Sequence, residues 1–300
     1  MYDLVLLTDQ RYLEDRAGDW YINNIIKEDE IVTMALEKLG ICVWRTNWDN
    51  PSFNWSHTRS AMFRTTWDYF NRFEEFDQWL KRTSFQTQFM NSCDLVKWNI
   101  DKHYLEILRG KGINIPPTLF IEKGARSSLE SFAVNSDWKE FILKPAISGS
   151  ARHTYRFTLN GVGDLEQLFS ELISRESMLL QEYQFQITTK GEVALMVMDG
   201  EFTHAILKKA KAGDFRVQDD FGGTVHDYSA TSEEIKFAEE VVACCPQKPV
   251  YARVDIIRDN SDKICLCELE IIEPELWFRN YPPSADVLAK GIKRRLSVIS

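Results

Sequence analysis

Residues 250–270, VYARVDIIRDNSDKICLCELE, constrain this chain more than any other stretch, because two strand-forming runs flank a polar turn and carry unusual charge. VYARVDII (250–257) and ICLCELEI (264–271) read as antiparallel strands joined across Arg258–Lys263. Folded symmetrically about Ser261–Asp262, the hairpin sets Asp255 opposite Glu268 and Arg253 opposite Glu270. Side chains alternate along a strand. Arg253, Asp255, Glu268 and Glu270 are therefore expected on one face. Ala252, Val254, Ile256, Cys265, Cys267 and Leu269 are expected on the other, against the core. Carboxylates directly opposite one another lie about 5 Å apart, and at an effective dielectric of ~20 they repel by roughly 3 kcal/mol. Such a face is either open to water or faces cations. Arg253 offsets part of the repulsion, and a divalent cation with oxygen ligands would offset more. The hairpin alone leaves both readings open.

The organisation around it is mixed. DLVLLT (3–8), ICVWRT (41–46) and AMFRTT (61–66) read as strands. Between them runs a helix with Ile22, Ile25, Val32, Leu36 and Leu39 at helical spacing, stopped by Gly40. A second helix carries Phe73, Phe76 and Leu80. Strands alternating with helices predict an open parallel α/β sheet, here over residues 1–95. Two α+β units are expected to follow, 96–180 and 181–300. Their signals are a helix from Lys102, the strand TLFI, a strand–loop–strand in EFILKPAISGSARHTYRFTL, a helix at 165–174 and the strand MLLQEY (178–183). VALMVMDGEFTHAIL then reads as a hairpin turning at Asp199–Gly200, and a helix follows at 233–244.

Composition excludes several classes. With 36 Lys+Arg against 45 Asp+Glu, the net charge of −9 gives no electrostatic footing for nucleic acid. No apolar run approaches the ~20 residues that span a bilayer, and no signal peptide is evident. The six cysteines show no CxxC spacing and are expected to be reduced core residues, which predicts a cytoplasmic protein.

Two lysines supply the hairpin with a context. Lys144 ends the apolar strand FILKP before the small-residue loop AISGSAR, and Lys102 opens a helix. A loop of that kind can wrap phosphates with backbone N–H groups while an ammonium neutralises their charge. The pattern GxxxxGK[ST] is absent, so the loop is not a P-loop.

With these elements in order, the chain resembles the ATP-grasp superfamily from about residue 95 onward: DK (Lys102), ILKP with its loop (Lys144), LLQEY, KGEVAL (Glu192), KKAKAGDFRVQDDFGG (208–223), RVD and ELE. The resemblance implies a pre-ATP-grasp α/β domain followed by a two-subdomain ATP-grasp fold, with ATP between the subdomains. It also implies that Lys102, Lys144, Ser148, Gly149 and Ser150 meet the phosphates, that Gln181, Glu182, Tyr183 and Gln184 meet the adenine, and that Glu192 meets the ribose. Asp255, Glu268 and Glu270 match the family's magnesium ligands, for two ions with manganese able to replace them; Glu270 stands where many members have Asn. Lys208, Arg216 and Arg253 match positions that face the γ-phosphate and a developing acyl phosphate. The ending EIIEPELWFRNYPP, with RTTWDYF earlier, is similar to a smaller ATP-grasp group containing a cyclo-ligase that acts on O-ureido-serine. Since ligands bind at carboxyl ends of strands in open α/β sheets, Arg64, Trp67, Asp68 and Tyr69 are the expected substrate residues, with structural packing the alternative for Trp67 and Tyr69.

The activity so implied is an ADP-forming carboxylate–amine ligase, with a small-molecule carboxylate and an amine as partners in a homodimer or homotetramer. A phosphotransferase and a non-catalytic nucleotide-binding regulator on the same fold are the alternatives.

Overall fold

The computed structural model describes residues 1–217 and 222–298. Part of the expected phosphate-facing stretch KKAKAGDFRVQDDFGG, residues 218–221, lies outside them. The first unit is the expected parallel sheet: β1 (Leu4–Thr8), α1 (Trp20–Glu37), β2 (Val43–Asn47), β3 (Ser60–Thr65), α2 (Phe73–Thr83) and a further strand, β4 (Gln88–Met90). The order is β2-β1-β3-β4, all parallel. Chain order therefore reverses between β1 and β3, and their carboxyl ends open a crevice. Asp19 starts α1 by accepting from the Tyr21 and Ile22 amides at 3.2 Å. Gly40, at φ +77°, ends the segment in a conformation that side-chain-bearing residues avoid.

The second unit comprises α3 (Cys93–Ile100), α4 (Tyr104–Gly110), β5 (Thr118–Ile121), α5 (Leu129–Val134), β6 (Glu140–Pro145), β7 (Tyr155–Thr158), α6 (Glu166–Ile173) and β8 (Met178–Glu182). Its antiparallel sheet runs β5-β8-β6-β7, so β8 continues across position 180. The third unit holds α7 (Ile187–Lys190), β9 (Glu192–Met198), β10 (Glu201–Lys209), β11 (Thr224–Tyr228), α8 (Ser232–Ala243), β12 (Tyr251–Arg258) and β13 (Ile264–Glu270), in the order β11-β10-β9-β12-β13. The β9–β10 turn places Asp199 at φ +51° and Gly200 at +84°, the pair of left-handed residues that a tight hairpin demands. A last helix, α9 (Pro283–Leu296), has no counterpart in the sequence reading.

That helix joins the units. Leu288, Ile292 and Leu296 share one buried cluster with Leu4, Leu6, Val32 and Leu36 of the first unit and Met196 and Met198 of β9. The Asp199 carboxylate accepts from Arg294 and, at 2.7 Å, from Arg295. Tyr251, fully buried, donates to the carbonyls of Phe63 (3.1 Å) and Ile272 (2.7 Å), tying β12 to β3. The first sheet is thus fixed against the acidic hairpin. Among the described residues no helix is long and apolar enough to cross a membrane. All six cysteines are free, but only Cys265 is buried and Cys42 is exposed, which corrects their expected core role.

Candidate active site

The acidic hairpin adopts the expected pairing, Arg253 with Glu270 and Asp255 with Glu268. Beyond it the register shifts: Ile256 pairs with Leu266, which leaves Cys267 as an additional residue on β13. The parity of β13 changes there. Ile264, Leu266 and Leu269 enter the core cluster with Ala252, Val254 and Ile256, whereas Cys267 lines the cleft. The expectation that Cys265 and Cys267 share the core face with Leu269 is corrected by this bulge.

The charged face does not stand in open water. It walls a cleft bounded by all three units, and cations meet its carboxylates directly. Lys208 Nζ lies 2.5 Å from Glu192 and 3.1 Å from Asp255. Arg253 donates to Asp255 at 2.8 and 2.9 Å and also to Glu270. Lys102 Nζ lies 3.1 Å from Glu268 and donates to the Ser148 carbonyl at 2.6 Å. Burial opposes the charge of Asp255, but Arg253 and Lys208 together hold it below the usual carboxylate range. Glu268 is likewise held low against burial by Lys102 and Lys144. For Glu192 burial wins and raises it despite Lys208. Glu270 is pushed up to about 7, by burial first and then by Glu268 and Asp255, against the pull of Arg253.

Lys144 differs from these cations. It ends β6 in the cleft wall, yet no ion pair holds it among the described residues. The loop after it carries Ser150 (φ +48°), Ala151 (+54°) and His153 (+50°), left-handed conformations that side chains disfavour. Gly149 sits against the Phe70 ring, and a Cβ there would come within 2.5 Å of it. The loop therefore touches the first unit. At the other end of the cleft, Arg156 lies over the Tyr183 ring (3.8 Å) and Phe215 meets its edge (6.1 Å). Gln181 donates to Thr118 (2.9 Å), and Gln184 donates to the Glu182 carbonyl (3.0 Å). Arg216 lines the cleft while its guanidinium pairs with Asp214 at 2.7 Å.

Lys102, Lys144, Ser148, Gly149, Ser150, Gln181, Glu182, Tyr183, Gln184, Glu192, Lys208, Arg216, Arg253, Asp255, Glu268 and Glu270 thus line one cleft. Of the four expected substrate residues, the structure brings Trp67 and Tyr69 to it. Arg64 is 2% exposed, donating to Asp29 at 2.9 Å, and lies outside the cleft wall. Asp68 accepts from Trp48 Nε1 and Arg72, both at 2.8 Å. Arg64 instead ties β3 to α1, and Asp68 braces the loop beyond β3. Sequence reasoning missed Tyr21, Glu273, Glu275 and Trp277 in the wall. Trp277 carries the one signal available, a large aromatic residue in an acid-rich stretch; it sits at φ +46° with Arg253 and Lys208 over its ring at 5.4 and 5.8 Å.

Among the described residues no three His, Cys, Asp or Glu side chains gather as a cage for a metal. Magnesium is commonly held by one or two carboxylates together with substrate phosphates. The oxygens of Asp255 and Glu268, on opposed strands beside free space, suit that mode.

Comparison with known proteins agrees with the geometry. Residues 141–273 match the RimK-like ATP-grasp domain, and residues 4–91 match the N-terminal domain of D-cycloserine synthetase DcsG. Residues 141–273 thus carry an ATP-grasp domain, and the chain is an enzyme, an ATP-dependent ligase. It is similar to the cycloserine biosynthesis protein DcsG of Streptomyces lavendulae, at 26% identity over 280 residues, covering 87% of this chain and 91% of that protein. The crystal structure of D-cycloserine synthetase DcsG superposes with a TM-score of 0.85 at 25% identity, covering 98% of this chain and 99% of that one. D-alanine–D-alanine ligase from Bacillus anthracis, complexed with ATP, shares the fold at TM-score 0.64 and 13% identity, over 100% of this chain and 98% of that one.

Proposed function

We propose that this ligase is ADP-forming, that it activates a small amino-acid-like carboxylate as an acyl phosphate, and that a nitrogen nucleophile then displaces the phosphate. The observation that carries this reading is the convergence of Lys102, Lys144, Lys208 and Arg253 on the Asp255–Glu268 pair in one cleft. Phosphoryl transfer needs little covalent help from a protein; it needs positioning and compensation of charge.

In this account the adenine lies along Gln181–Gln184, beside the Tyr183 ring. Lys144, Lys102 and the backbone of Ser148–Ser150 take the phosphates. Glu192 takes the ribose hydroxyls, which releases Lys208 toward the γ-phosphoryl group. Asp255 and Glu268, with Glu270 beside them, would hold magnesium, whose charge lowers the repulsion between the carboxylate nucleophile and the phosphates. The substrate carboxylate oxygen attacks the γ-phosphorus and ADP leaves. Arg253 and Arg216 meet the charge that builds on the transferring group. The nitrogen then attacks the acyl carbon, the C–O bond to phosphate breaks, and the nitrogen loses a proton. The enclosed cleft keeps water from the acyl phosphate. Likeness to D-cycloserine synthetase along nearly the whole chain favours an intramolecular version, in which O-ureido-serine supplies both carboxylate and nitrogen.

The test is ATP-dependent phosphate release over a panel of amino acids headed by O-ureido-serine, with hydroxylamine as a competing nucleophile. A hydroxamate with equimolar ADP supports the reading. ADP with a stable phosphorylated alcohol indicates a kinase, and tight ATP binding without ADP indicates a regulator.

A further inference from the structure

The end of the cleft nearest the first unit is built for something other than nucleotide. Its wall carries Tyr21, Trp67, Tyr69 and Trp277 together with Glu270, Glu273 and Glu275. Two of the carboxylates have cations: Glu270 pairs with Arg253, and Glu275 with Arg279 at 2.6 Å. Glu273 has none among the described residues. Its backbone is fixed, since Trp67 Nε1 donates to its carbonyl at 2.9 Å. Its carboxylate is met by the hydroxyl of Tyr69, a side chain that is itself 4% exposed. Burial, with Glu270 adding to it, pushes Glu273 up to about 8, as expected of a carboxylate enclosed without a counter-charge.

A second observation points to a ligand at the same wall. Trp277 is 2% exposed, and its indole N–H has no acceptor among the described residues. A buried donor left unmade is costly unless a ligand or water completes it. Trp277 also holds the left-handed backbone that side chains avoid, at a place where strain commonly marks function. The aromatic faces of Trp67 and Tyr21, 6.3 Å apart, add quadrupoles that attract a cation. Among the described residues no guanidinium at this end is spare, because Arg253 is engaged by Asp255 and Glu270 and Arg279 by Glu28 and Glu275.

Resting on the ligase reading for the identity of its small-molecule substrate, we propose that Glu273, braced by Tyr69 and walled by Trp67, Tyr21 and Trp277, is the subsite for that substrate's primary ammonium group. The ammonium supplies the missing counter-charge and donates to the Glu273 carboxylate. The Trp277 N–H donates to an oxygen of the same molecule. The substrate class is accordingly a zwitterionic amino acid, oriented with its carboxylate toward Lys208 and Arg253.

The experiment is calorimetry on the whole protein with magnesium and a non-hydrolysable ATP analogue. The probes are O-ureido-serine, serine and alanine in both hands, each beside its des-amino analogue. The wild type is expected to bind at least one amino compound about 10- to 100-fold more tightly than its des-amino partner, the range of a charge-assisted bond. Glu273→Gln, which is isosteric and can still accept from Tyr69, should abolish that preference and leave affinity for the ATP analogue unchanged. Glu273→Asp should restore part of the preference. A preference that survives in Glu273→Gln overturns the subsite, and so does a wild type that prefers no amino compound in the panel. With ATP in place of the analogue, turnover of a des-amino carboxylate with ADP release would overturn the subsite and leave the ligase reading standing. Discrimination for the ammonium without any ADP formation would do the reverse.

Discussion

Lys144 is the cation whose removal reports most cleanly on nucleotide binding. It stands at the end of β6, backbone-paired with Leu179 of β8, and no ion pair engages its ammonium among the described residues. Glu268, the carboxylate it influences most plainly, keeps Lys102 at 3.1 Å when Lys144 is cut back. Lys144→Ala therefore strands no buried charge, and its stability change should stay within about 1 kcal/mol. If the ammonium meets an ATP phosphate, the loss is one charge-assisted hydrogen bond, roughly 1.5–3 kcal/mol, or about a 10- to 150-fold rise in Kd. Calorimetric titration with ATP and magnesium measures this, with urea unfolding as the control. Unchanged ATP affinity in a folded Lys144→Ala protein would refute the assignment of residues 144–153 to the phosphates.

The neighbouring cluster predicts different behaviour. Lys208 and Arg253, two cations, face Glu192, Asp255 and Glu270, three carboxylates. Lys208→Met leaves one cation against three and should destabilise the unliganded protein by about 3–5 kcal/mol. Asp255→Asn leaves two against two, so it should keep the fold while losing magnesium-dependent turnover; near-normal activity would remove Asp255 from the proposed metal site. Unfolding as a function of pH is a further check. Glu270 and Glu273 are raised to about 7 and about 8, so the folded state holds their protons more tightly than the unfolded chain does. Their support is full below the unfolded value and lost as pH rises through the folded values. His204, lowered to about 4 by burial, works in the opposite sense, but only below about pH 6.5. Unliganded stability should therefore fall between pH 6.5 and 8, by on the order of 2 kcal/mol, and a rise over that window would contradict the buried-carboxylate account.

The hairpin shows how far sequence carried. Strand alternation and one turn opposed Arg253 to Glu270 and Asp255 to Glu268 because the bulge offsets a turn that is centred on Ser261 and not between Ser261 and Asp262. It failed one step on, at Cys267, because a bulge adds a residue without leaving a local mark. The Asp199–Gly200 turn was legible since its backbone needs particular residues. Arg64 was misleading for a different reason. A charged residue at a strand's carboxyl end suggests a ligand contact, but its partner, Asp29, lies on α1 and is brought near only by the fold. The acid-rich stretch from the end of β13 hid its role likewise: which of Glu270, Glu273 and Glu275 has a cation depends on Arg253 and Arg279, and sequence order does not say.

The central claim is that the substrate carboxylate itself attacks ATP. Turnover of the substrate found in the panel, labelled with ¹⁸O in both carboxylate oxygens, tests it directly, with mass analysis of the released phosphate. The account predicts one ¹⁸O in each phosphate formed, alongside one ADP. Product formation with unlabelled phosphate, or with AMP and pyrophosphate in place of ADP, would contradict it.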